Sequence, residues 1–160
     1  MKWEGGVVAS FLIQLTAPPM LFIGEYTHTL DPKNRLSLPA KFRKDLGRVV
    51  VITRGLDHCL YVYPKKDWAE EAKRHASHAS GTKAGRGLAR LFLAGAMEAE
   101  VDGAGRVLIP DHLKGFARLG NKAVVAGVAS RVEIWDETAW KKYTTAIERD
   151  ADSFAESLGD

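Results

Sequence analysis

Apolar positions along this chain come in two kinds of short run, alternating and continuous, with turn residues between them, and the series occurs twice. Glu25–Leu30 carries Tyr and two Thr in a short segment that suits a strand. Asp31-Pro32-Lys33-Asn34 reads as a turn, because Pro fits the first central position and Asn tolerates positive φ. Leu36-Ser37-Leu38 alternates as a half-buried strand does, and Pro39 stops it. Ala40–Leu46 predicts a short helix ended by Gly47. Val49–Thr53 is a continuous apolar strand, Gly55 to His58 a turn, and Leu60–Tyr63 the next strand.

The second series follows the same plan. Glu98–Val101 predicts a strand, Asp102–Gly105 a Gly-rich turn and Arg106–Ile109 a strand broken by Pro110. Asp111–Leu119 predicts a short helix ending at Gly120, followed by strands over Ala123–Val125 and Val132–Trp135. Displaced by 71 positions, Gly24 falls on Gly95, Asp31 on Asp102, Arg35 on Arg106 and Pro39 on Pro110. After one inserted residue the match resumes, Tyr61-Val62-Tyr63 falling on Glu133-Ile134-Trp135 and Trp68 on Trp140. A repeat this long predicts a pseudo-symmetric protein. Each half, about 70 residues, is marginal for an independent core, so the halves are expected to complete one another or to pack on other subunits.

A helix follows each series. Trp68, Ala72, Ala76 and Ala79 share one face of the first; Gly81 and the Gly85/Gly87 pair interrupt it, and a second short helix over Leu88–Leu93 leads into the second series. At the end Trp140, Tyr143, Ile147, Ala151, Phe154 and Leu158 recur at spacings of three and four, an amphipathic helix whose apolar stripe is expected to cover the strands. Val7–Leu15 is uncharged but too short to span a bilayer. Residues before Met20 read as an N-terminal extension, with a start assigned upstream of Met20 as one explanation.

Composition narrows the function. The 23 Lys and Arg against 20 Asp and Glu permit a nucleic-acid partner without demanding one. The charge is uneven: residues 65–92 hold seven basic and three acidic side chains, and the tail from Glu137 holds six acidic and three basic. The single cysteine, Cys59, excludes a disulfide framework or a cysteine-rich zinc site within one chain and is expected to be a small half-buried residue. His75 and His78 lie three apart but lack the ligand set a zinc site needs, and they read as solvent-facing residues of a basic helix. Gly81–Gly87 lacks the Gly-Lys-Ser/Thr ending of a phosphate loop and reads as a flexible linker. No constellation supports an enzyme. The aromatic residues sit at strand ends or on apolar helix faces, as packing residues do.

The repeated Asp-x-x-x-Arg carries the chemistry. An Asp that opens a turn accepts hydrogen bonds from N–H groups two or three residues on, and the Arg heading the next strand can lie against it as a fork. Two roles are then open. The pair is purely structural, or the turns present Arg35 and Arg106, with Lys33 beside the first, to a polyanion. An Arg fork binds phosphate oxygens or guanine O6/N7 with two hydrogen bonds, and two like tips suit a repeating ligand such as duplex DNA.

Residues 20–158 resemble the MraZ family, through FIGEY, LDPKNRLSLPAKFR, TRGLDHCLYVYPKKDW, RLFLAGAMEAEVDGAGRVLIPDHL and VEIWDETAW. The resemblance implies an α+β, mainly β fold: two SpoVT-AbrB-type repeats in a pseudo-symmetric swapped-hairpin, double-split β-barrel with flanking helices. It divides the chain into an extension (1–20), a first repeat (22–67), a helical linker (68–92), a second repeat (93–138) and a C-terminal amphipathic helix (139–158). It implies a DNA-binding transcriptional regulator, a repressor of the division and cell-wall gene cluster, bound to short direct repeats as a ring-like homo-oligomer. The implied place is the cytoplasm, at the nucleoid. Arg35 and Arg106 would face DNA and Lys33 would contact phosphate, while Asp31, Asp102, Asn34 and Gly105 shape the turns. Many relatives have Gly where this chain has Asn34, the next-best residue for positive φ. No cofactor, metal, small-molecule substrate or membrane partner is expected. The alternative is an oligomeric scaffold or protein-interaction module without DNA binding.

Overall fold

The computed structural model describes residues 21–159. The uncharged stretch Val7–Leu15 and the extension before Met20 lie outside them. Among the described residues eight strands and five α-helices follow one another in two series. The first holds β1 (Phe22–Thr29), β2 (Arg35–Ser37), α1 (Ala40–Leu46), β3 (Val49–Arg54) and β4 (Leu60–Pro64). Helices α2 (Lys65–Ala76) and α3 (Lys83–Ala94) connect it to the second series: β5 (Met97–Glu100), β6 (Arg106–Leu108), α4 (Asp111–Ala117), β7 (Lys122–Ala129) and β8 (Arg131–Asp136). Helix α5 (Glu137–Ser157) closes the chain.

The strands form an antiparallel six-stranded sheet in the order β1-β7-β8-β4-β3-β5 and a separate antiparallel ribbon of β2 with β6. The order is palindromic: exchanging each strand for its counterpart in the other series returns the same sheet read backwards. The pseudo-twofold axis passes between β4 and β8, where Tyr61 faces Glu133, Leu60 faces Ile134 and Val62 faces Val132. The halves are therefore interlocked, with β1 paired to β7, β5 to β3 and β2 to β6. A closed barrel is not formed among the described residues; the sheet is open, with β1 and β5 as its edges.

Alternation along each strand feeds two cores, since successive side chains point to opposite faces. Val50, Ile52, Leu60, Val62, Ala123, Val125, Val132 and Ile134 pack against Leu36, Leu38, Val107 and Ile109 of the ribbon segments and against Phe42, Leu46, Leu113 and Ala117 of α1 and α4. On the opposite face Cys59, Tyr61, Tyr63, Val124, Ala126 and Trp135 pack with Phe92, Trp68, Leu91 and Trp140 of the longer helices. Cys59 is fully buried, rather than half-buried, beneath this layer, and burial pushes its thiol up out of the reactive range.

Four local outcomes differ from the sequence pattern. Helix α3 runs straight through Gly85 and Gly87, because Thr82 caps it by accepting from the Gly85 N–H at 3.0 Å and a Cβ on Gly85 would collide with the His78 carbonyl. Helix α4 stops at Arg118, which takes the left-handed conformation (φ 51°) two residues before Gly120. His75 is stacked on Phe92, with ring centroids 4.2 Å apart and a buried Nε2, instead of facing solvent. Of the α5 stripe, Trp140 and Tyr143 reach Trp135, but Phe154 and Leu158 remain exposed.

Leu36 is fully buried at the centre of the ribbon, opposite Val107. Leu36→Ala is expected to lower unfolding free energy by about 2–5 kcal/mol, as deletion of a buried Leu side chain does. Urea unfolding at fixed protein concentration measures this; a loss below about 1 kcal/mol would mean that the ribbon is not part of the core.

Candidate nucleic-acid interface

Each Asp-x-x-x-Arg forms the tip that joins the first strand of its series to the second. At the first tip the Asn34 N–H donates to the Asp31 carbonyl at 2.9 Å and the Asp31 N–H to the Arg35 carbonyl at 3.0 Å. Oδ1 of Asp31 accepts from the N–H groups of Lys33 (2.9 Å) and Arg35 (2.8 Å), and its Oδ2 accepts from Arg35 Nε at 2.7 Å. The second tip repeats the pattern. Asp102 accepts from the N–H groups of Ala104 and Arg106 and from Arg106 Nε, all at 2.9 Å. Asn34 (φ 61°) and Gly105 (φ 78°) both adopt the left-handed conformation that turns the chain back.

This bonding aims the arginines. One carboxylate oxygen ties down the loop backbone and the other holds Nε, so the guanidinium is fixed at its inner edge. The terminal nitrogens of Arg35 have no hydrogen-bond partner among the described residues, and its side chain is 34 % exposed. Nη1 of Arg106 lies 3.9 Å from Asp31 Oδ2, so the two tips stand side by side and share one charge cluster. Lys33 is exposed at the crest of the first tip.

The ribbon sets that adjacency. Arg35 faces Leu108 and Ser37 faces Arg106 across β2 and β6. Two further bonds cross between the series in equivalent positions: Leu38 N–H to the Gly105 carbonyl at 2.9 Å and Ile109 N–H to the Asn34 carbonyl at 2.8 Å.

The tips differ in what lies over them. The Asn34 side chain donates to Asp111 Oδ1 at 3.1 Å and accepts from Lys114 Nζ at 2.9 Å, which pins α4 to the first tip. At the second tip Gly105 has no side chain, and the Arg43 guanidinium of α1 occupies the space where its Cβ would stand. Arg43 Nε donates to the Leu38 carbonyl at 2.8 Å. Sequence reasoning missed Arg43 and Lys114. The signal was present, since both are the basic residue four positions after the strand-ending proline of their repeat.

Both aspartates are held below the ordinary carboxylate value. The largest cause is the backbone N–H of the motif arginine, followed among the lowering effects by that arginine's guanidinium and the N–H two residues on; partial desolvation opposes them. A lowered value means that the ionised form is the one the fold prefers. The contribution is complete above the unfolded-state value of about 3.9 and is lost as pH falls through that region and below it.

Among the described residues no helix is long and apolar enough to cross a membrane. A family model described as "MraZ protein, putative antitoxin-like" matches the chain twice, over residues 21–91 and 92–158. Proteins named transcriptional regulator MraZ are similar along most of their length. The one from Moorella thermoacetica is 44 % identical over 88 % of this chain and 98 % of its own. The one from Desulfitobacterium hafniense (strain DCB-2) is 46 % identical over 86 % and 96 %, and that from Carboxydothermus hydrogenoformans 41 % over 88 % and 98 %.

Two outcomes follow for the tips. Gly105→Ala places a Cβ at positive φ and against Arg43, and is expected to cost about 1–2 kcal/mol in a urea titration from the left-handed backbone alone. The double variant Asp31→Asn/Asp102→Asn is expected to be less stable at pH 7 and to lose less further stability than the wild type between pH 5 and pH 3; parallel pH profiles would contradict the hydrogen-bonding pattern as the source of acid sensitivity.

Proposed function

The chain belongs to the MraZ family of transcriptional regulators, and we propose that it regulates transcription by binding double-stranded DNA through Arg35, Arg106 and Lys33, with Asp31, Asp102, Asn34 and Gly105 holding the turns. Regulation of transcription is a non-enzymatic kind of function. The observation that carries the reading is the side-by-side placement of two like turns, each with its arginine gripped through Nε by the aspartate four residues before it. A guanidinium fixed at its inner edge has lost much of its rotamer freedom before it meets a ligand, and its outer edge matches phosphate oxygens or a guanine edge.

One chain offers two tips, so useful affinity for short direct repeats comes from several subunits bound together in a ring-like homo-oligomer. The target is the promoter of the division and cell-wall gene cluster, repressed in the cytoplasm at the nucleoid. The cross-pairing of β1 with β7 and β5 with β3 supports the swapped-hairpin reading of the fold, with repeats at 22–67 and 93–138, a linker at 68–92 and a terminal helix at 139–158. The uncovered stripe of α5 suits subunit contact, and it is the feature that favours the scaffold alternative.

Arg35→Ala and Arg106→Ala are each expected to weaken binding to the protein's own promoter fragment by about tenfold or more, with circular dichroism and oligomer mass unchanged. Unaltered affinity in both variants would remove these residues from the interface. Loss of the oligomer in either variant would give the Asp–Arg pair a structural role, and a wild-type chain that leaves the promoter fragment unbound would favour the scaffold.

A further inference from the structure

The fold is symmetric about its axis, but its surface charge is not. Beside the second tip one hollow is lined by Arg43, Lys44, Arg48, Asp102 and Gly103, and a neighbouring one shares Lys44, Gly47 and Arg48 with it and reaches Lys65 and Lys66 at the start of α2; together they make up one groove. Lys44, Arg48, Lys65 and Lys66 are exposed. The acidic residues that line it are Asp45 and Asp102, and Asp102 is already engaged by Arg106. Lys65 also reaches Glu98 at 3.3 Å. Arg43 pairs with no carboxylate among the described residues; its Nε donates to the Leu38 carbonyl, and the residue lines the groove.

The equivalent surface beside the first tip holds fewer basic residues. Lys114, the counterpart of Arg43, has its ammonium bound by Asn34. Gly115 stands in the place of Lys44 in the repeat. Asn121 stands in the place of Arg48, since its carbonyl accepts from the Leu30 N–H as that of Arg48 accepts from the Val101 N–H. Glu137 and Thr138 replace Lys65 and Lys66, and Glu137 is itself an acid. Lys122 and the exposed Arg118 are basic residues on this side with no basic counterparts, because Val49 and the helix-ending Gly47 take their places in the other half.

We propose that the groove from Arg43 to Lys66 is a second phosphate track, on which duplex DNA leaves the tips on one side of the pseudo-twofold axis. The proposal rests on the DNA-binding reading above. A row of cations on one side fixes the polarity with which a chain lies on its site, and successive subunits then meet direct rather than inverted repeats in the same orientation. The track reads no bases; its contacts are to the backbone, which position the protein and make binding salt-dependent.

The test is fluorescence anisotropy of the full chain with a labelled promoter duplex over a series of salt concentrations. The variant is Lys44→Ala/Arg48→Ala/Lys66→Ala, and the control of equal charge change is Lys73→Ala/Lys141→Ala/Lys142→Ala, on α2 and α5 away from the groove. The groove variant is expected to bind about tenfold or more weakly and to lose about two to three units of salt slope, at close to one unit per phosphate contact, with the control near wild type. Wild-type affinity and slope in the groove variant overturn the track while leaving the tips intact, provided that Arg35→Ala still weakens binding. A wild-type chain that binds no duplex overturns both readings together. A groove variant with altered assembly mass and unchanged slope makes this face a contact between subunits and overturns the track. Equal losses in variant and control reduce the effect to net charge and also overturn it.

Discussion

Arg35 to Ser37 lie against Leu108 to Arg106, and this three-residue pairing of β2 with β6 holds the rest in place. Its inward side chains, Leu36 and Val107, seal the main core, and its outer ends carry the two tips. The reciprocal bonds from Leu38 to Gly105 and from Ile109 to Asn34 extend the pairing into the turns themselves. The same hydrogen bonds that complete the core therefore set the spacing of Arg35 and Arg106. A change that loosens the ribbon disturbs packing and presentation of the arginines together.

The axis of the fold runs through a pair of unlike residues. Tyr61 faces Glu133, and burial of a carboxylate at the centre of a sheet is costly unless it is matched. Arg131 donates to Glu133 through Nε at 2.9 Å and Nη2 at 2.7 Å, and Trp135 Nε1 donates at 3.1 Å. The Arg131 guanidinium also lies over the Tyr61 ring, 4.1 Å from its centroid. Symmetry of the backbone is thus kept while the side chains on the axis diverge, as they do at the tips and along the grooves. In a single chain each half of a duplicated fold is free to take a different chemical part, which identical subunits related by a true twofold axis cannot do.

Much of this was legible in the sequence where physics is local. Helix α1 falls on Ala40–Leu46 with Gly47 beyond it because a glycine with φ near 79° ends helices whatever surrounds them. The strands appear where alternation or β-branched runs place them, and the repeat itself exposed the shared Asp and Arg. What the pattern missed depends on contacts distant in sequence. Gly85 and Gly87 read as breakers, yet the cap at Thr82 and the close approach of His78 make a helix there. His75 looked solvent-facing because the Phe92 beneath it comes from another helix. Proximity of the two tips follows from cross-pairing, which periodicity does not encode. Arg43 and Lys114 hold equivalent places in the repeat, but that each reaches the other repeat's turn shows only once the halves are interlocked.

That interlocking also bears on how the chain is made. Phe22 pairs with Ala129 and Leu36 with Val107, so the first repeat has no partner for β1 or β2 until the second has left the ribosome. Contacts this distant in sequence slow folding, because loop closure precedes the contacts that reward it. During synthesis Phe22, Leu36 and Leu38 wait without their cover, and the nascent first half is a target for chaperones or for a neighbouring copy's strands. An identical half from a second molecule offers the same missing partners, so the fold carries a built-in route to strand exchange between chains.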